Sequence, residues 1–172
     1  MIDIFEAARD GNTEAIIEFI KKGVDINALD RYGTPAIYYA AWHGRLSVLV
    51  ILLTNGADIN KPIDLSLGGE NGRGDWTALH VAVEQGNAEV VTLLLDYGAD
   101  INVTNHTGRT PLFKAMDQID EHIGPDIAEI LIRRGADVNL IPQNGHTLLY
   151  KARLYGRADL EVLLIKAGAR DS

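Results

Sequence analysis

Five histidines, three serines and 24 acidic residues are the side chains of this 172-residue chain that could support catalysis. A helix-borne zinc site needs a spacing such as His-Glu-x-x-His, which puts both imidazoles on one face. His43, His80, His106, His122 and His146 are dispersed singly and none has it. A serine nucleophile sits on a Gly-x-Ser-x-Gly turn, and Ser47, Ser66 and Ser172 all lack those flanks. With no cysteine in the chain, thiolate metal sites, cysteine nucleophiles and disulfides are excluded. One stretch resembles a phosphate cradle, Gly68-Gly69-Glu70-Asn71-Gly72-Arg73-Gly74 ahead of a predicted helix. A dinucleotide loop would need glycine where Thr77 stands, and a P-loop would need a following Lys-Ser/Thr pair. The stretch reads better as a turn, because Ile63, Leu65 and Leu67 before it alternate with Asp64 and Ser66 as one side of an enlarged hairpin does. No catalytic residue, cofactor or metal is expected.

The acids themselves point to a different organisation. Asp25, Asp58, Asp100 and Asp137 each belong to a Gly-Ala-Asp-Ile-Asn peptide or close variant, beginning at Gly23, Gly56, Gly98 and Gly135, and Gly168-Ala169-Arg170 closes a fifth segment. The glycines lie 33, 42, 37 and 33 residues apart. A second marker keeps step: the helix starts at Ile4, Ile37, Leu79, Leu112 and Leu149 precede their closing glycines by 19, 19, 19, 23 and 19 residues. The chain is thus a 33-residue unit repeated five times, with nine residues inserted before Leu79 and four after Leu112. Such a period means stacked supersecondary units that bury a core only jointly. Ala7-Ala8, Ala40-Ala41, Ala82, Ala115 and Ala152 mark one position on the first helix of each unit, where small side chains let neighbouring helices approach. The second helices carry apolar residues three and four apart, as in Val90, Val91, Leu94 and Leu95. A glycine follows each of them, where a left-handed residue ends a helix most readily.

Thr77-Ala78-Leu79-His80-Val81-Ala82 and Thr110-Pro111-Leu112-Phe113-Lys114-Ala115, each with its downstream Gly-Ala-Asp-Ile/Val-Asn, resemble the ankyrin repeat, whose pattern runs T-P-L-H-x-A and then G-A-D-V-N. Pro35-Ala36-Ile37-Tyr38 and Thr147-Leu148-Leu149-Tyr150 are looser matches. The resemblance covers the whole chain and implies an all-α, α-rich repeat solenoid of paired antiparallel helices with β-hairpin fingers. The single domain 1–172 then divides into repeats at about 1–29, 30–61, 71–104, 105–141 and 142–172, with a finger insertion at about 62–70 and a helix insertion at about 119–122. Met116, Ile119 and Ile123 are spaced to let the first helix of the fourth repeat run one further turn, before Gly124-Pro125 breaks it and starts the next. By the same resemblance His80 is a structural histidine that bonds to backbone of a neighbouring repeat.

Net charge is −8, from 24 acids and 16 bases. That balance disfavours nucleic acid and anionic membrane as partners, both of which call for clustered positive charge. The basic pairs Lys21-Lys22 and Arg133-Arg134 fall in last helical turns, where cations offset the helix dipole. Met1 to Glu6 lacks the basic flank and apolar run of an export signal, and the apolar stretch Val48 to Leu53 is too short to span a membrane. A cytoplasmic monomer is the expectation, and the glycosylation sequons at Asn102 and Asn105 are read as coincidental.

Function is therefore sought in partner binding, and the resemblance implies where: finger tips and the exposed ends of first helices, on the concave face. Those positions hold Arg31, Tyr32, Trp42 and His43, then Arg73, Trp76, Glu84 and Gln85. His106, Arg109, Asp117 and Gln118 follow, and then His146, Leu154 and Tyr155. Trp42 and Trp76 either anchor a partner, as exposed tryptophans do in binding hot spots, or pack locally against the second or third finger; anchoring is the expectation. The expected function is a non-enzymatic protein-interaction module. The alternative is a dedicated inhibitor, similar to the ankyrin-type immunity proteins that bacteria pair with toxins, and an enzyme is the distant third.

Overall fold

The computed structural model describes residues 2–64, 74–117, 124–141, 143 and 145–171. Ten helices occur among them: α1 (Ile4–Asp10), α2 (Thr13–Lys21), α3 (Ala36–Trp42), α4 (Leu46–Thr54), α5 (Ala78–Glu84), α6 (Ala88–Asp96), α7 (Pro111–Asp117), α8 (Gly124–Arg133), α9 (Leu148–Leu154) and α10 (Ala158–Lys166). They alternate short and longer, as paired helices of a 33-residue unit should. The chain forms two compact units, Met1–Ala99 and Asp100–Ser172.

In the first unit α1, α3 and α5 stack in one layer and α2, α4 and α6 in another. The alanine position allows this, since Ala7, Ala8, Ala40, Ala41 and Ala82 are at most 1% exposed. Helix α4, Leu-Ser-Val-Leu-Val-Ile-Leu-Leu-Thr, is apolar nearly all round because α2 and α6 flank it on two sides. Val48, Leu49 and Leu52 are fully enclosed there, and truncating one such leucine to alanine costs about 2–5 kcal/mol. In the second unit α7 packs on α8 and α9, and α10 on α8 and α9. Phe113, Met116, Leu131 and Leu148 fill its core.

Helix ends follow the sequence closely. Asp3, Asn12, Asn87 and Thr147 cap α1, α2, α6 and α9 by accepting N–H groups at 2.8–3.0 Å. Beyond α4 and α6, Gly56 and Gly98 adopt φ of +93° and +88°. The N–H groups of Ala57 and Ala99 then reach back to the Leu52 and Leu94 carbonyls at 3.0 Å, closing the helices with a 6→1 bond.

The expected β-hairpin fingers are, among the described residues, hydrogen-bonded turns. Among the described residues the pairing of strand type is one isolated antiparallel bridge, Leu29 with Pro35. The repeats are latched instead by the Asp-x-Asn peptides. Asp25 Oδ1 accepts the Asn27 N–H at 2.9 Å, which orients the asparagine. Asn27 Nδ2 donates to the Gly56 carbonyl at 3.1 Å while its Oδ1 accepts the Asp58 N–H at 2.7 Å. Asn139 repeats the pattern with Gly168 and Arg170, and Asn102 Oδ1 accepts the Asp137 N–H at 2.8 Å. The recurring acids are thus hinge-pins of turns.

Helix α8 does begin at Gly124, while the proposed extension through Ile119 and Ile123, like Gln118, lies outside the described residues.

Candidate functional site

In the first unit the finger is built on Asp30. Its Oδ1 accepts the N–H groups of Tyr32 at 2.8 Å and Thr34 at 2.9 Å, and its Oδ2 accepts the Tyr39 hydroxyl at 2.8 Å. Three donors on one carboxylate lock the turn and anchor it to α3. Arg31 and Tyr32 at the tip are exposed, with the guanidinium 4.6 Å above the Tyr32 ring. Burial, then the hydrogen bond to Asp30 and its charge, push the Tyr39 phenol up to about 12. The finger and helices α1 and α3 enclose an open cleft of about 430 Å³, into which Asp3, Phe5, Glu6 and Arg9 also face.

Further along α3, Trp42 is half-buried with its ring 5.9 Å from that of Tyr38. His43 beside it is exposed, and partial desolvation with the charges of Arg45 and Arg9 holds its imidazole below the usual range.

Trp76 corrects the expectation of an exposed anchor. It is 7% exposed, its indole lies 5.8 Å from the His80 ring, and its carbonyl accepts the Ile63 N–H at 2.9 Å. Ile63 is also 7% exposed, so it belongs to the packed base of the finger and not to a projecting edge. The reason is backbone pairing: Asp75 donates in return to the Ile63 carbonyl at 3.3 Å, folding Trp76 inward over α5. Local packing was the right alternative for this tryptophan. His80 itself caps α5, its Nδ1 accepting the Thr77 N–H at 3.3 Å and lying 3.2 Å from Thr77 Oγ1. An N–H can only donate, so Nδ1 is the unprotonated ring nitrogen. Glu84 and Gln85 end α5, half-buried and exposed respectively, and Arg73, Leu65 and Leu67 lie outside the described residues.

In the second unit Asn105 takes the role of Asp30. Its Oδ1 accepts the Thr107 N–H and hydroxyl and the Arg109 N–H at 2.8–3.0 Å, leaving His106 exposed at the tip. Gln143 from the next finger donates to the carbonyls of His106 and Thr107. Asn105, 9% exposed, and Asn102 are both held through Oδ1, Asn102 by the Asp137 N–H.

Arg109 and Asp117, singled out separately in the sequence, meet: the guanidinium donates to Asp117 Oδ2 at 3.0 Å. The other carboxylate oxygen is held by Lys151. Nothing in the local sequence distinguishes Lys151, apart from its standing at the same repeat position as Lys114. It is buried, with Nζ 4.4 Å from the Phe113 ring. Burial, with the cations Arg109 and Lys114 nearby, brings its pKa down to about 8. His146 stacks on Tyr150 at 4.7 Å, and Leu154 and Tyr155 are 61% and 36% exposed.

Among the described residues no group of three or more His, Asp or Glu is placed to hold a metal ion, and no helix is long and apolar enough to cross a membrane.

Comparison with known proteins adds the family context. Residues 64–142 match the family model for ankyrin repeats in three copies, and residues 4–53 match the model for ankyrin repeats in many copies. The chain is 38% identical over 63 residues to the human mitochondrial disaggregase, a match covering 37% of this chain and 9% of that protein. It is 29% identical over 119 residues to the E3 ubiquitin-protein ligase Ufd4 of Drosophila melanogaster, covering 69% of this chain and 4% of the ligase. An ankyrin repeat-containing protein of Schizosaccharomyces pombe is 36% identical over 58 residues, 34% of this chain and 28% of the yeast protein. In each case the similarity spans less than a third of the relative's own length, 28% at most.

Proposed function

This chain belongs to the ankyrin repeat family, whose repeats form protein-interaction modules, and from that premise we propose that it binds a protein partner through its finger tips and first-helix ends, without catalysis or a cofactor, as a cytoplasmic monomer. The observation that carries this reading is Tyr32. It is 45% exposed at the tip of a turn whose backbone Asp30 has already immobilised. A rigid aromatic held in solvent costs little entropy to dock, and tyrosine, tryptophan and arginine dominate binding hot spots. Trp42 lies on the helix that follows this finger, and His106, Arg109, His146 and Tyr155 offer the corresponding positions of the second unit.

The test is affinity capture of a partner from the native lysate, then titration calorimetry with purified components. Tyr32→Ala and Trp42→Ala should each weaken binding about tenfold or more, since hot-spot truncations cost about 2 kcal/mol or more. Glu18→Ala and Lys166→Ala, on the second helices, should leave affinity unchanged. If the second-helix variants lose affinity and the finger variants keep it, the assignment of the binding face is wrong.

A further inference from the structure

The cleft between α1 and the first finger combines ring faces with carboxylates inside one unit. Phe5, Tyr32 and Tyr39 contribute aromatic surface, and the negative charges are Glu6, Asp3, whose Oδ1 caps α1, and Asp30, whose carboxylate already accepts three hydrogen bonds. Two guanidiniums share the lining, but both are already engaged: Arg9 pairs with Asp10 at 2.9 Å, and Arg31 lies over the Tyr32 ring. The Arg31–Tyr32 contact is itself informative, because the molecule's own cation has settled on a ring face at the mouth of the cleft. The wider field is negative as well: residues 1–99 carry 14 acids against 7 bases, while residues 100–172 carry 10 against 9. A volume of about 430 Å³ is ample for one long side chain with part of its backbone.

We infer that this cleft receives a lysine or arginine side chain from a basic segment of the partner protein, the incoming cation displacing Arg31 from the face of Tyr32. The inference rests on the proposed function, since it assigns the chemistry of the partner at the first unit's finger. A cation over an aromatic face, with carboxylates beside it, gains both from the ring quadrupole and from charge pairing. The acidic field of the unit steers it there, and salt screens that steering. Nucleic acid and anionic lipid are repelled by the same field. Arg31 then acts as a competitor for the ring and not as a contact.

The experiment is a two-dimensional amide NMR titration of the full chain with N-acetyl-arginine amide, its neutral isostere N-acetyl-citrulline amide, and N-acetyl-glutamate amide. Shifts confined to Phe5, Glu6, Asp30 to Tyr32 and Tyr39 are expected with the arginine probe alone, and they should shrink as salt is added. Tyr32→Ala should weaken the arginine probe about two- to fivefold, the range of an exposed cation–aromatic contact. Glu6→Gln should weaken it about twofold, as loss of one exposed charge pair does. Arg31→Ala should leave affinity unchanged or raise it. Equal shifts with citrulline, shifts centred elsewhere, no shifts, or a loss of affinity in Arg31→Ala would each overturn the inference. A captured partner that still depends on Tyr32 while the arginine probe leaves the cleft unmoved would sink this inference and leave the proposed function standing.

Discussion

Asn27 joins two repeats through one side chain, donating to the Gly56 carbonyl at 3.1 Å and accepting the Asp58 N–H at 2.7 Å. Both partners are backbone groups just past α4, where a helix leaves its last carbonyls without internal donors. Replacing Asn27 by alanine abandons both, at a cost of about 1–2 kcal/mol. For a chain of this length each kilocalorie lowers the melting point by about 2–4 °C, so Asn27→Ala should melt several degrees early by circular dichroism. Asn27→Asp keeps the acceptor and should recover part of the loss.

Gly33 and Gly98 share a left-handed backbone, with φ of +75° and +88°, but differ in their surroundings. A Cβ on Gly98 would meet nothing within 4 Å, whereas one on Gly33 would stand 1.9 Å from the Asp64 carbonyl oxygen. Gly98→Ala should therefore cost only the conformational penalty of about 1–2 kcal/mol. Gly33→Ala should cost visibly more, because the Asp64 N–H bond to the Gly33 carbonyl must also give way. Equal melting points for the two variants would contradict the close approach.

Burial of Trp76 changes what its removal should do. As a packed indole, Trp76→Ala should destabilise the fold by about 3–5 kcal/mol, read as a loss in urea midpoint at unchanged slope. Trp42→Ala, from a half-buried site, should be much milder in the same assay.

The nine-residue insertion can be removed while the backbone pairing at its base is kept. Deleting residues 65–73 joins Asp64 to Gly74 and leaves Ile63 paired with Asp75, so Asp-Gly becomes a two-residue hairpin turn, a preferred sequence for that geometry. This variant should melt within a few degrees of the parent. Deleting residues 63–71 restores the same 33-residue period but discards buried Ile63 and the Asp64 bond to Gly33, and it should unfold markedly earlier.

Tyr39 makes alkaline stability fall. Its phenol is raised from about 10 to about 12, so between those values the folded chain holds a proton that the unfolded chain has lost. The stabilisation is complete below pH 10 and disappears as pH rises through 12. Against Tyr39→Phe, which has no such proton, wild type should lose relative stability across that window in chemical denaturation. A constant difference between the two would show that Tyr39 is unperturbed.

By itself the sequence determined the period, the helix pairs, the alanine seam and the glycine helix ends. Those features depend on residues a turn or two apart, and repetition five times over removes ambiguity from each. It also marked Arg31, Tyr32, Arg109 and Tyr155, which depart from the repeat at positions the pattern leaves to solvent. Tertiary structure alone decided that Trp76 and Ile63 turn inward, because their burial comes from backbone pairing across an insertion that the period does not govern. It alone brought Asp3, which caps α1, and Phe5 and Glu6 within it to face Asp30 and Tyr39 across one cleft, and set Lys151 against an aspartate 34 positions earlier. Periodicity reports which face of a helix is covered, but which side chains then meet across that face depends on rotamers and finger geometry, and these are settled only when the repeats stack.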